Sequence, residues 1–302
     1  MSPLDQPYFH DDTAAREYLE QLRWAEGAIC PHCGVIGEAT RLQGKKHRPG
    51  VWKCNACKQQ FTVTVGTVFE RSKVPLHKWL LAVYLLCSSK KGISSHQLMR
   101  TLGVQYKTAW FMSHRIREAM SDGGLLPKLG GDGETVEADE TYWGNKKGVD
   151  PLFHGNTSKH QIFSMVERGG NVRSWQVPNT KANTLLPIIS DNVERGTRVC
   201  TDEANVYKGM NRCVLLPDFS HETVCHKHAE YVRGDVYTNT IEGYFGILKR
   251  GLTGVYQHVS EEHLQRYIAE FDFRYNHRKL TDLERTADAL RGIQGKRLYY
   301  RP

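Results

Sequence analysis

Residues 136–145 read VEADETYWGN, and the place of Asp139 within them decides how the rest of the chain is understood. Val136, Thr141, Tyr142 and Trp143 are β-branched or aromatic, which predicts a strand that presents Asp139 from a rigid edge. A second acid, Asp202, ends the β-prone run Thr197-Arg-Val-Cys-Thr201. That places it at the C-terminal end of a strand, where sites gather in α/β sheets. A third, Glu242, lies in TNTIEGYFGILKR, residues 238–250. Ile241, Tyr244, Phe245 and Leu248 recur there at i, i+3, i+4 and i+7, so an amphipathic helix is predicted with those four inside. Glu242, Gly246 and Lys249 share another face, because seven residues make nearly two turns. Three carboxylates from two strands and a helix can hold a pair of divalent cations about 3.5–4 Å apart, leaving the lysine for a phosphate. The chain has 33 Asp and Glu, so spacing alone does not single out these three.

Charge is distributed unevenly around this region. From Arg41 to Arg117 there are fifteen Lys or Arg and one acid, Glu70, whereas the flanking parts are mildly acidic or balanced. Solvated faces normally mix both signs, so a one-sign block interleaved with Trp, Tyr and Phe predicts a polyanionic partner, nucleic acid first. No run approaches the ~20 apolar residues of a membrane span, and MSPLDQPYFHDD is not a signal peptide, so a cytoplasmic protein is expected. Neither a Walker loop nor a dinucleotide fingerprint is present, and no nucleotide cofactor is expected.

Within the basic block, Cys30-Pro-His-Cys33 and Cys54-Asn-Ala-Cys57 stand twenty residues apart. Two C-x-x-C turns at that distance predict a zinc ribbon with one structural Zn²⁺ on four thiolates, in preference to a redox pair. The shell is then full, so His32 and His47 are expected at the surface. Lys45, Lys46, Arg48 and Lys53 lie between or beside the ligands and are candidate DNA contacts. PLHKWLLAVYLLCSS, from Pro75, predicts a buried helix with Cys87 in its core. GISSHQLMRTLGVQYKTAWFMSHRIREAM then predicts a helix-turn-helix: Ser94 or Ser95 caps the first helix, Gly103 turns, and Gln105 to Met120 form the second. Gln105, Tyr106 and Lys107, with His114 and Arg115 further on, are its candidate DNA contacts, and an ordinary helical hairpin is the alternative.

SDGGLLPKLGGDGE predicts a linker. HQIFSMVERGGNVRSWQVPN predicts two strands joined at Gly169-Gly170, and residues 183–193 a helix. His221, Cys225, His226 and His228 crowd together, but their spacing matches no trusted ligand pattern. VSEEHLQRYIAEFDFRYNHRK predicts a helix capped by Ser260 that buries Leu264, Tyr267, Ile268, Phe271 and Tyr275.

VEADETYWGNKKG, TDEANVY and the long block from Tyr231 to Arg278, YVRGDVYTNTIEGYFGILKRGLTGVYQHVSEEHLQRYIAEFDFRYNHR, resemble the three catalytic blocks of DDE-type insertion-sequence transposases of the group with an N-terminal zinc ribbon. The resemblance extends over most of residues 15–280. It implies an α/β chain with a ribonuclease H-like catalytic core preceded by a zinc ribbon and a helix-turn-helix. The expected segments are 1–70 (helix and ribbon), 71–127 (DNA-binding helices) and 128–302 (catalytic core). Asp139, Asp202 and Glu242 are implied as the acidic triad holding two Mg²⁺ or Mn²⁺, and Lys249 as the lysine beyond it. Some relatives use an asparagine as the third residue, and Asn239 is the other candidate; Glu242 is preferred. The implied activity is metal-dependent cleavage at the ends of a mobile element and strand transfer into target DNA, by an oligomer that holds both ends. The alternatives are a DNA-binding regulator derived from an inactive transposase and a nuclease that cleaves without joining.

Overall fold

The computed structural model describes residues 2–44, 46–124, 126–149, 152, 155–208, 210, 219–224, 232–296 and 298. Lys45, Cys213, Cys225, His226 and His228 therefore lie outside the described residues. In chain order come α1 (Asp12–Arg23), β1 (Ala39–Arg41), β2 (Trp52–Cys54), β3 (Gln60–Phe61), α2 (Leu76–Ser88), α3 (Ser95–Leu102) and α4 (Tyr106–Met120). There follow β4 (Thr135–Trp143), β5 (His160–Glu167), β6 (Val172–Val177), α5 (Ala182–Asn192), β7 (Arg198–Asp202) and β8 (Ser220–Val224). The last elements are β9 (Val232–Arg233), β10 (Val236–Tyr237), α6 (Asn239–Gly251), α7 (Glu261–Asn276) and α8 (Asp282–Arg291). The chain divides into two units, one formed by Met1–Asp122 with Lys279–Pro302 and the other by Gly123–Arg278.

In the first unit, β1, β2 and β3 form an antiparallel sheet too small to hold a core of its own. It leans on α1: Trp24 meets Trp52 and Phe61 edge-on, each at 5.8 Å, and Trp52 Nε1 donates to Glu20 Oε1 at 3.1 Å. Helix α2 buries Trp79, Leu80, Val83, Leu86 and Cys87, as its breadth of apolar residues predicts. Helix α8 packs on it, with Arg285 Nη1 donating to Cys87 O at 2.7 Å. α8 falls within the first unit, although the third segment expected from sequence extends to residue 302. Ser94 Oγ caps α3 by accepting from Gln97 N at 3.2 Å, and Gly103 ends it in the left-handed region at φ 61°.

The second unit is built on a five-stranded sheet in the order β6-β5-β4-β7-β8. β4, β5 and β6 are antiparallel, and β7 and β8 continue parallel to β4. Alternation sends Val136, Ala138, Phe163, Met165 and Val199 to one face, where Leu185, Ile189 and Val193 of the α5 segment cover them. Ile162, Val166 and Val172 go to the other face, under Ile241, Tyr244, Phe245 and Leu248 of α6 and Leu264, Ile268 and Phe271 of α7. The apolar positions read from α6 and most of those read from α7 are thus the ones that hold these helices to the sheet. Ile162 is fully buried in this second layer. Ile162→Ala is expected to lower unfolding free energy by about 2–5 kcal/mol, through lost transfer energy and the cavity left behind, measured by urea denaturation.

Candidate active site and metal centre

The three acids read from sequence all belong to the second unit, and the sheet explains how they meet. β4 and β7 run parallel with Thr135 opposite Arg198 and Glu137 opposite Cys200. Two residues further in that register, Asp139 and Asp202 come side by side on the face that α6 covers. Glu242 occupies the first turn of α6 and is exposed. Asp139 is pushed up to about 8, first by burial and then by the charges of Glu140, Asp202 and Glu242; the Glu140 amide, donating to Asp139 Oδ1 at 2.7 Å, pulls the other way. Asp202 and Glu242 therefore both lie within electrostatic reach of Asp139. Their oxygens do not all fall within 4.8 Å, the spread found for the cysteines described below. Asp202 Oδ1 accepts from Ala204 N at 3.0 Å, which fixes the carboxylate against the turn that follows β7. Lys249 is exposed near the end of α6. Asn239 is exposed at the first position of the same helix.

Glu140 points away from this face, as strand alternation requires, and takes the Tyr207 hydroxyl at 2.6 Å. Burial raises its carboxyl to about 7. Glu137 was missed by sequence reading. It is completely buried on the same face as Asp139, and it accepts from the backbone amides of Thr240 and Ile241 at 2.9 and 3.0 Å. The signal was available, because residue i−2 on a strand shares the face of residue i.

In the first unit, Cys30, Cys33, Cys54 and Cys57 bring all four sulfurs within 4.8 Å of one another, the single such cluster of three or more Cys, His, Asp or Glu among the described residues. Cys30 and Cys57 sulfurs lie 3.6 Å apart and those of Cys33 and Cys54 3.7 Å. A tetrahedron with Zn–S bonds of about 2.3 Å has edges of about 3.8 Å, so four thiolates here fit a structural Zn²⁺. The amide of Cys57 donates to Cys54 Sγ at 3.4 Å, and this bond leads the influences that pull the Cys54 thiol down to about 7. His32 and His47 are exposed and stand outside the cluster.

The candidate DNA contacts separate into two groups. Lys46, Arg48, Lys53, Gln105, Tyr106 and Lys107 are exposed. Arg115 is not: only 6% of it is accessible, its Nη2 donates to Glu70 O at 2.9 Å, and its guanidinium lies 5.2 Å from the Phe111 ring. Arg115 and the fully buried His114 therefore serve packing in this unit, because every residue from Met112 to Arg117 of α4 is buried, whichever way it faces. No helix among the described residues is long and apolar enough to cross a membrane.

Residues 128–276 match the ISXO2-like transposase domain, and residues 10–60 match the transposase zinc-ribbon domain. The chain is 29% identical over 283 residues to an uncharacterized protein in transposable element ISH50 of Halobacterium salinarum, covering 88% of this chain and 91% of that one. It is also 29% identical over 104 residues to an uncharacterized transposase-like protein of Haemophilus influenzae, covering 34% of this chain and 80% of the other. A solved simian T-cell lymphotropic virus intasome in complex with PP2A regulatory subunit B56 gamma gives a TM-score of 0.30 at 14% identity, over 58% of this chain and 63% of that one, too slight a likeness to carry weight. Both matched domains occur here in order, the ribbon match spanning Cys30 to Cys57 and the transposase match spanning Asp139 to Glu242, and the chain belongs to the zinc-ribbon, ISXO2-like transposase family.

Proposed function

We propose that the protein cuts DNA at the ends of its mobile element and joins the freed strands to target DNA. The observation that carries this reading is that Asp202, on the strand adjacent to β4, and Glu242, on α6, both press negative charge on Asp139. The strand order, three antiparallel strands followed by two parallel ones, supports taking the second unit as a ribonuclease H-like core. Carboxylate oxygens alone are the donor set a hard divalent cation takes, and excess negative charge at a buried position favours one. Two Mg²⁺ or Mn²⁺ held by Asp139, Asp202 and Glu242, or with Asn239 in place of Glu242, would polarise the attacking and leaving oxygens of an in-line displacement.

The chain's own residues do the rest. Asp139 and Asp202 stand on adjacent strands and cannot separate without breaking the sheet. Lys249 follows Glu242 on the same side of α6 and pairs with a backbone phosphate. In the first step water attacks a phosphodiester, the bond from phosphorus to the 3′-oxygen breaks, and a 3′-hydroxyl is freed. In the second that hydroxyl attacks a target phosphodiester, forms a new P–O bond and releases the target's 3′-oxygen as a hydroxyl. Both are the same displacement at phosphorus, so one site serves both.

The first unit is proposed to hold the ends. Lys46, Arg48 and Lys53 of the ribbon and Gln105, Tyr106 and Lys107 at the start of α4 present exposed cations and polar groups, with Lys45 proposed beside them. The α3–Gly103–α4 turn supports a helix-turn-helix, whose second helix would enter the major groove by its N-terminal residues. Acting on two ends at once requires at least two copies on DNA, in the cytoplasm of a bacterial cell. The test is to incubate the purified, zinc-loaded protein with labelled end DNA, plasmid target and Mg²⁺. Labelled ends covalently joined to the plasmid on a denaturing gel are the expected result. Cleaved but unjoined ends would make the protein a nuclease, and binding without either would make it a regulator.

A further inference from the structure

Helix α6 begins without a cap of its own. Thr238, in the N-cap position, makes no side-chain bond to the first-turn amides. An α-helix leaves those amides unsatisfied, and burying them unpaired is costly. Here they are met from another element: Glu137 of β4 accepts from Thr240 N at 2.9 Å, Ile241 N at 3.0 Å and Thr240 Oγ1 at 2.9 Å. The strand that carries Asp139 thus also carries, two residues earlier and on the same face, the cap of the helix that carries Glu242.

A second group holds the entry to the helix. Arg168 Nε donates to Glu137 Oε1 at 2.7 Å, while its Nη1 and Nη2 donate to Asp235 O at 2.6 Å and Tyr237 O at 2.7 Å. Its guanidinium lies 3.6 Å from the centre of the Tyr237 ring. One cation therefore neutralises the buried carboxylate and pins the β9–β10 hairpin directly ahead of α6. Fully satisfied charged networks of this kind fix geometry, since any displacement strands a buried charge.

We propose that Glu137 is a positioning residue, which with Arg168 and Thr240 sets the height and rotation of α6 on β4 and thereby the place of Glu242 opposite Asp139. The inference rests on the reading of Asp139, Asp202 and Glu242 as metal ligands. A cap that served stability alone would leave the metal requirement untouched. A positioning residue makes it weaker, because partners that orient ligands typically change metal affinity roughly 10–100-fold.

The experiment uses the full chain with its zinc retained and follows cleavage of end DNA against Mn²⁺ concentration, with thermal melting alongside. Glu137→Gln and Thr240→Val are expected to raise the Mn²⁺ needed for half-maximal cleavage, Glu137→Gln by roughly tenfold or more, while DNA affinity stays at the parent value. Thr240→Ser, which keeps the hydroxyl, is expected to titrate as the parent does. If Glu137→Gln and Thr240→Val melt earlier but titrate like the parent, the positioning role is overturned. Where Glu137→Gln does not fold, the Thr240→Val and Thr240→Ser pair decides, since both leave Glu137 and Arg168 in place. Asp139→Asn and Glu242→Gln are run beside them. Cleavage surviving in both would overturn the reading of the site itself, whereas its loss in both, with normal Mn²⁺ titration in the Glu137 and Thr240 variants, would overturn only this inference.

Discussion

Asp139→Asn is expected to lower metal-dependent cleavage of end DNA on the order of 10³-fold or more, a loss of about 4 kcal/mol of transition-state stabilisation, while leaving binding to the ends unchanged. The substitution keeps size and shape but removes the charge at a half-buried acid of the three. Cleavage is read on end-labelled duplex under single-turnover conditions and binding by gel shift. Retained cleavage would remove Asp139 from the site.

The same variant has a stability signature. Burial, then the charges of Glu140, Asp202 and Glu242, raise Asp139 to about 8, far above the ordinary aspartate. A raised carboxyl favours the folded state only while it is protonated. Its contribution is fully present below the unfolded pKa of about 4 and is lost as pH climbs through about 8. Without Mg²⁺, and with zinc retained, Asp139→Asn should therefore melt close to the parent at pH 4–5 and above it at pH 8. Added Mg²⁺ should raise the parent's melting temperature at pH 8 more than the variant's. Equal melting of the two proteins across the range would contradict the buried setting assigned to Asp139.

Much of this site was legible because local patterns carried it. The β-branched and aromatic residues around Asp139 give a strand, Asp202 ends the strand read for it, and Ile241, Tyr244, Phe245 and Leu248 are the buried face of the helix read for Glu242. Glu137 was not legible as a cap, because its partners are about a hundred residues away and only the fold brings α6 to β4. The rule that excluded Glu140 from the metal face admits Glu137 to it, yet alternation cannot say whether a carboxylate meets a cation, an amide or water. Arg115 shows the opposite error. Its place in a basic, helical stretch pointed to DNA, but residues near the middle of α4 are set by packing, and the guanidinium turned inward to the Glu70 carbonyl and the Phe111 ring.

Loss of zinc should unfold the ribbon of the first unit. β1, β2 and β3 are three, three and two residues long, and the hydrogen bonds between them are too few to hold a sheet together unaided. What closes the ribbon is the four-sulfur cluster, where structural Zn²⁺ typically contributes an apparent ~10–16 kcal/mol that is also folding energy. Cys54→Ser, at a fully buried ligand position, is therefore expected to abolish stoichiometric zinc and leave the ribbon unfolded. By hydrogen exchange the amides of Leu42, Cys54 and Asn55, bonded across the ribbon to Val51, Gln59 and Glu38, should lose protection. Helices α2 and α8 should keep theirs, because Trp79, Leu80, Leu86 and Leu290 form a core that does not include the metal. Affinity for end DNA should fall, and its salt dependence should become shallower, as the phosphate contacts proposed for Lys46, Arg48 and Lys53 are lost with the surface that displays them. The slope separates the two roles a zinc ribbon can have. Weaker binding with an unchanged salt slope would mean that the ribbon supports the helices without touching DNA, whereas weaker binding with a shallower slope would place its cations on the phosphates.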